Sequence, residues 1–117
     1  MLAIIKAEID KFGATLGGAS NMDSALELFK LGHHEFSTKV GGMLGHVHGL
    51  MLQDPRLPDV VKDSIGKYVD HFNAARNLER AVIEHGSYQQ RVECLHAFLA
   101  DLSIIMEALH GRSNTLR

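Results

Sequence analysis

His34, Glu35 and Thr38 are the residues of this 117-residue chain whose types and spacing best suit chemistry. A neutral imidazole keeps an unshared pair on one ring nitrogen and can attack phosphorus near neutral pH. The carboxylate at the next position, Glu35, could fix the ring tautomer or take up the displaced proton. The Thr38 hydroxyl follows one helical turn later and could orient a hydrolytic water. In-line phosphoryl transfer also needs a cation against the transferring group. No carboxylate cluster lies here to hold Mg²⁺, so no resident cofactor is expected and a partner would bring the ion.

The elements that position these residues follow from apolar periodicity, which is helical throughout. Leu2, Ile5, Ile9, Phe12 and Leu16 predict a first helix over residues 2–16, stopped by Gly17 and Gly18. Leu26, Phe29, His33, Phe36, Val40, Met43, Val47 and Leu50 alternate steps of three and four, predicting one helix over 23–52. Five interior glycines oppose that helix at roughly 1 kcal/mol each relative to alanine, so packing must offset them or the helix kinks near Gly41 and Gly42. The segment from Asp54 to Asp59, with Pro55 and Pro58, reads as a turn. A third helix over 59–84 carries the stripe Val61, Ile65, Tyr68, Phe72, Ala75, Leu78 and Val82, and His85-Gly86 ends it. Ser87 and Gln90 form a capping box for a fourth helix over 87–110. Its stripe is Tyr88, Val92, Leu95, Leu99, Leu102, Met106 and Leu109, with fraying expected from Arg112 to Arg117. Short links make neighbours antiparallel. The expected fold class is all-α: a single antiparallel helical-bundle domain over 1–117, with three long helices and a shorter N-terminal one.

On the second helix, Glu27, Leu31, His34, Thr38, Gly41, Gly45, His48, Gly49 and Leu52 gather on a face away from the apolar stripe. Gly41, Gly45 and Gly49 are four apart, a stripe that lets another backbone approach closely. One reading is close packing by the first or fourth helix. The other is a docking groove, with His48 beside it, next to a reactive His34.

The segment His34-Glu35-Phe36-Ser37-Thr38-Lys39-Val40, with Gly45 following, resembles the H-box of histidine-kinase dimerisation and phosphotransfer domains. That box runs roughly His-Glu-Leu-Arg-Thr-Pro-Leu with a later glycine. Leu28, Phe36, Val40 and Met43 fall where the family places apolar core residues. The resemblance covers about residues 23–84 and leaves the first and fourth helices outside it. It implies a helical hairpin that dimerises into a four-helix bundle, a phosphoryl group accepted on His34, and exchange with a receiver-domain protein. Lys39 stands in place of the helix-kinking proline, Ser37 in place of arginine and His33 in place of a small residue. No glycine-rich phosphate loop is present, so the chain could relay a phosphoryl group but not take one from ATP.

Other constellations point elsewhere. Eight histidines, among them His33, His46, His48, His71, His96 and His110, invite a metal or haem reading, yet no His-x-x-x-His pair is present, so no metal site is assigned. Arg80 to His85 matches by spacing the Arg-x4-His element of a family of small all-helical ribonucleases, with Ala81 where a polar residue is usual. A surface ion pair of Arg76 or Arg80 with Glu84 accounts for the same residues. Net charge is −2 with both signs interspersed, which argues against a nucleic-acid partner. No run approaches the roughly 20 apolar residues of a membrane span, and the N-terminus lacks the features of a signal peptide. Cys94, the only cysteine, lies beside the stripe of the fourth helix as an inert thiol, and a cytoplasmic setting follows. Two functions remain: a phosphotransfer module acting through His34, Glu35 and Thr38, or a non-enzymatic helical interaction protein. Both imply a protein partner, and sustained heptads suit a homodimer as well as a bundle within one chain.

Overall fold

A computed structural model describes the backbone of residues 2–115 and the side chains of residues 2–109. Four helices run α1 Leu2–Gly17, α2 Met22–Leu52, α3 Asp59–His85 and α4 Tyr88–Thr115, and no strand occurs among the described residues. α4 continues past the end expected at 110; residues 116 and 117 and the side chain of His110 lie outside the described residues. α2 packs against all three other helices, and α4 also contacts α1 and α3.

Local signals set the helix ends. The Asn21 side chain accepts a hydrogen bond from the Ser24 amide at 2.8 Å, capping α2. Ser87 and Gln90 cap α4 reciprocally: the Gln90 amide donates to Ser87 Oγ at 3.2 Å and the Ser87 amide to Gln90 Oε1 at 2.9 Å. Between α2 and α3, Asp54 accepts from the Arg56 amide at 2.9 Å and from its guanidinium at 3.1 Å. α2 is one unbroken helix of 31 residues, about 46 Å at 1.5 Å per residue, and so spans the 48 Å long axis of the molecule.

The core is aromatic at its centre. Phe98 of α4 is fully buried, with ring centroids of Phe29, Phe36 and Phe12 at 4.9, 5.5 and 5.7 Å. Phe36 also stacks on Phe12 at 4.9 Å, and these offset and edge-on arrangements are the favourable ones for aromatic pairs. Ile5, Ile9 and Leu16 of α1 and Leu95, Leu102, Ile105 and Leu109 of α4 extend the core toward both ends.

Three apolar stripes depart from those read in the sequence. On α2, Leu44 is buried and Leu50 is 54% exposed. On α3, the buried residues are Ile65, Val69, Phe72, Arg76, Glu79 and Ile83, while Leu78 is 72% exposed. On α4, Phe98 and Ile105 are buried, and Tyr88 is half exposed. On α3 the reason is that buried Arg76 and Glu79 take core positions that the apolar count had given to Ala75 and Leu78.

The glycines of α2 divide by what faces them. A Cβ on Gly32 would stand 2.6 Å from Phe12 Cε1, and that ring is held by Phe36 and Phe98. A Cβ on Gly45 or Gly49 would meet nothing within 4 Å. Gly32→Ala is therefore expected to destabilise the fold by about 1–3 kcal/mol through overpacking. Gly45→Ala and Gly49→Ala should each stabilise it, by up to about 1 kcal/mol, through helix propensity. Urea unfolding of the three variants checks both signs, and a neutral Gly32→Ala would remove the assigned Phe12 contact.

Candidate functional site

Consecutive residues on α2 meet consecutive residues on α3. His33 points inward, and its Nε2 lies 3.0 Å from Glu79 Oε1. His34 points outward, and its Nδ1 lies 2.9 Å from Arg80 Nη2. Neighbours on a helix are about 100° apart, so one pair is sealed in the core and the other is exposed.

The inner pair belongs to a buried ion cluster. Arg76 Nε donates to Glu79 Oε1 at 2.5 Å, and its Nη2 donates to Glu79 Oε2 at 3.0 Å and to Asp101 Oδ2 of α4 at 2.6 Å. Its guanidinium carbon also lies 4.8 Å from the Phe72 ring centroid and 5.1 Å from that of Phe98, within cation–π range. His71 Nε2 approaches Asp101 Oδ1 at 3.9 Å from the exposed side. Burial draws the Arg76 pKa down, but the hydrogen bonds and charges of Glu79 and Asp101 outweigh it and leave it above the ordinary arginine value. Both Glu79 carboxylate oxygens accept from Arg76, so His33 Nε2 is the donor in the His33–Glu79 bond.

The outer pair has a fixed polarity for a different reason. A guanidinium has donors only, so Arg80 donates and His34 Nδ1 accepts. The expected ion pair with Glu84 is absent: Arg76 is committed to Glu79 and Asp101, Arg80 faces His34, and Glu84 lies 3.7 Å from His85.

The other site residues expected from sequence are spread around this pair. Glu35 is exposed on the opposite flank of α2, lining a groove toward α1 with Glu8, Lys11, Phe12 and Lys39. Lys39 bonds Glu8 at 2.9 Å, and this bond first, with the Glu8 charge and a smaller contribution from Glu35, raises the lysine pKa. No hydrogen bond joins Glu35 to His34 among the described residues. Thr38 is exposed and makes no side-chain hydrogen bond among the described residues. The glycine stripe is split. Gly41 packs on α3, where a Cβ would stand 3.0 Å from Asn73 Oδ1, whereas Gly45 and Gly49 are open. His48 lies over Gly66 of α3, its Nε2 3.1 Å from where a Cβ would be.

Sequence reading missed Arg80 as the partner of His34, Arg76 and Glu79 as core residues, and Asp101 as their half-buried partner. A signal was available: Ile65, Val69, Phe72, Arg76, Glu79 and Ile83 alternate steps of four and three without a break. Among the described residues no group of three His, Cys, Asp or Glu side chains could hold a metal ion. No described helix is long and apolar enough to cross a membrane. Compared with family models, curated proteins and solved structures, the chain matches none of them.

Cys94 is half-buried beside the ion cluster. Burial first, then the negative charge of Glu79, push its thiol up to about 11, with Arg76 opposing. At pH 8 roughly one thiol in a thousand is then ionised. Alkylation by iodoacetamide at pH 8 should be at least about a hundredfold slower in the folded chain than in urea, where the pKa returns to its ordinary value. The folded rate should climb as pH rises toward 11. Equal rates in the folded and unfolded chain would place the thiol in solvent.

Proposed function

We propose that the chain is a histidine phosphotransfer module in which His34 accepts a phosphoryl group and exchanges it with a receiver-type protein. The observation that carries the reading is the exposed imidazole of His34 with the Arg80 guanidinium 2.9 Å from its Nδ1. Phosphoryl transfer needs little covalent help from a protein; it needs a positioned nucleophile and a cation against the developing charge. His34 and Arg80 supply the two from neighbouring helices. Arg80, rather than Glu35, fixes the ring tautomer, so Glu35 enters as a charged neighbour on the other flank. Thr38, one turn from His34 and free of side-chain bonds among the described residues, retains the role of orienting a hydrolytic water. Mg²⁺ comes with the receiver. Gly45 and Gly49 leave a bare strip of backbone against which such a partner can seat.

An antiparallel arrangement and a cytoplasmic setting belong to the same proposal. The first is supported by pairings in reverse order: Glu8 with Lys39 and Phe12 with Phe36, then His33 with Glu79 and His48 with Gly66. The resemblance implies a hairpin that dimerises into a four-helix bundle. Within one chain, α1 and α4 pack against the α2–α3 hairpin, which supports a relay module complete in one copy.

One observation favours the second reading, a non-enzymatic interaction module. An open groove of about 570 Å³ between α3 and α4 has a largely apolar lining of Leu78, Ala81, Val82, Cys94 and Ala97. The two readings separate on transfer. Incubation with receiver domains charged by acetyl phosphate and Mg²⁺ should place acid-labile, base-stable phosphate on the chain. His34→Gln should reduce it to the level of a control without donor. Labelling that persists in His34→Gln removes His34 from the mechanism, and failure of every receiver leaves the interaction reading.

A further inference from the structure

We infer that a pocket where the start of α2, the end of α3 and the start of α4 meet binds a small zwitterion, of the class of α-amino acids with a short apolar side chain. The site stands apart from the relay reading, since neither His34 nor Arg80 lines it.

The pocket measures about 160 Å³ and is partly enclosed. Four of its lining side chains are charged: Asp23, Glu27 and Lys30 from α2, and Arg91 from α4. Opposite charges around one small space attract each other. Yet no hydrogen bond or ion pair joins the side chain of Glu27, Lys30 or Arg91 to another group among the described residues. Asp23 is the one already engaged, as an acceptor facing the Tyr88 hydroxyl. Arg91 Nε is also buried and has no acceptor among the described residues. A donor cut off from water and left unpaired is uncommon in a folded chain and calls for an explanation.

The charge of the ligand follows from the lining. Two carboxylates and two cations cancel. A plain anion would gain from Lys30 and Arg91 and lose to Glu27, and a plain cation would do the reverse. A molecule that carries both charges gains from both sets. A guanidinium has parallel N–H donors along one edge, Nε among them, and that edge takes a carboxylate through two hydrogen bonds. Turning the edge of Arg91 into the pocket gives its orphaned Nε an acceptor. Glu27, exposed on α2, then receives the ammonium group. Phe29 and Ile83, both buried, supply an apolar part of the wall, which suits a hydrocarbon side chain. Size limits that side chain. A cavity on the order of 150 Å³ holds a molecule as large as benzene, with about six non-hydrogen atoms, and L-alanine has the same number.

The test titrates the full, ¹⁵N-labelled chain with L-alanine and follows the arginine Nε–H resonances by NMR at mildly acidic pH, where their exchange with water is slow. Arg56 Nε, already bonded to Asp54, is the internal control. The Arg91 Nε resonance should shift and saturate with a Kd of about 1 mM, within reach of so small a ligand, while that of Arg56 stays in place. Propionate, which lacks the ammonium group, and ethylamine, which lacks the carboxylate, should each bind at least about tenfold more weakly. With the shifts of backbone amides lining the pocket as the readout, Arg91→Met and Glu27→Gln should each weaken L-alanine by about the same factor. Glu27 is exposed, so Glu27→Gln keeps the fold and decides the matter if Arg91→Met unfolds the chain. The absence of a saturable shift by about 10 mM L-alanine overturns the inference. Propionate binding as tightly as L-alanine overturns it too, since the pocket would then be a plain carboxylate site. Binding unchanged in Glu27→Gln removes the ammonium contact and with it the zwitterion.

Discussion

The Arg76 guanidinium lies inside an aromatic core, between Phe72 and Phe98, and its charge must be met there. Glu79 meets it from the same helix and Asp101 from α4, while His33 of α2 donates to Glu79 Oε1, the oxygen that also accepts from Arg76 Nε. Three helices thus converge on one cation. Such a cluster is poor evidence of high stability, because desolvating charges offsets most of their attraction. It is strong evidence of a fixed arrangement. Sliding α3 by one turn would leave a buried charge unpaired, whereas an all-leucine seam would re-pack.

That constraint reaches the surface through covalent adjacency. His33 is tied to Glu79, so the next residue of α2 faces the next residue of α3, and His34 meets Arg80. The exposed pair has little of its own to hold it, since a single solvent-exposed hydrogen bond contributes about 1 kcal/mol. Its geometry is inherited from the buried pair beneath it. On the proposed relay reading, the nucleophile would thus be presented on backbone held in place from beneath. The open strip at Gly45 and Gly49 lies about three to four turns further along the same helix.

The sequence made α2 legible because its stripe is nearly pure. Phe29, Phe36 and Val40 are buried as spacing requires, and His33 was recognisable as a core position despite its polarity. The cap at Ser87 with Gln90 was legible too, since it joins residues three apart through local hydrogen bonds. α3 was harder for a definite reason. Two stripes compete on it: one ends on Leu78 and Val82, the other passes through Arg76 and Glu79. Counting apolar residues prefers the first, but burial follows the second, because partners on α2 and α4 complete the charges. No local rule carries that information; Asp101 is 25 residues from Arg76, and His33 is 46 from Glu79. The candidate site was half legible for the same reason. The helical wheel set His34 off the apolar stripe but left open whether that face is covered, whereas Arg80 became its neighbour only through the register that the buried cluster imposes. Glu35, adjacent in sequence, turned to the α1 flank.

Urea unfolding of Arg76→Ala tests this account most directly. Removing the cation leaves Glu79 and Asp101 facing the core without their partner, and the expected loss is about 3–5 kcal/mol, the scale of a broken buried ion pair. A loss within about 1 kcal/mol, the scale of an exposed pair, would mean that Arg76 reaches solvent and that the register of α2 against α3 is set by something else.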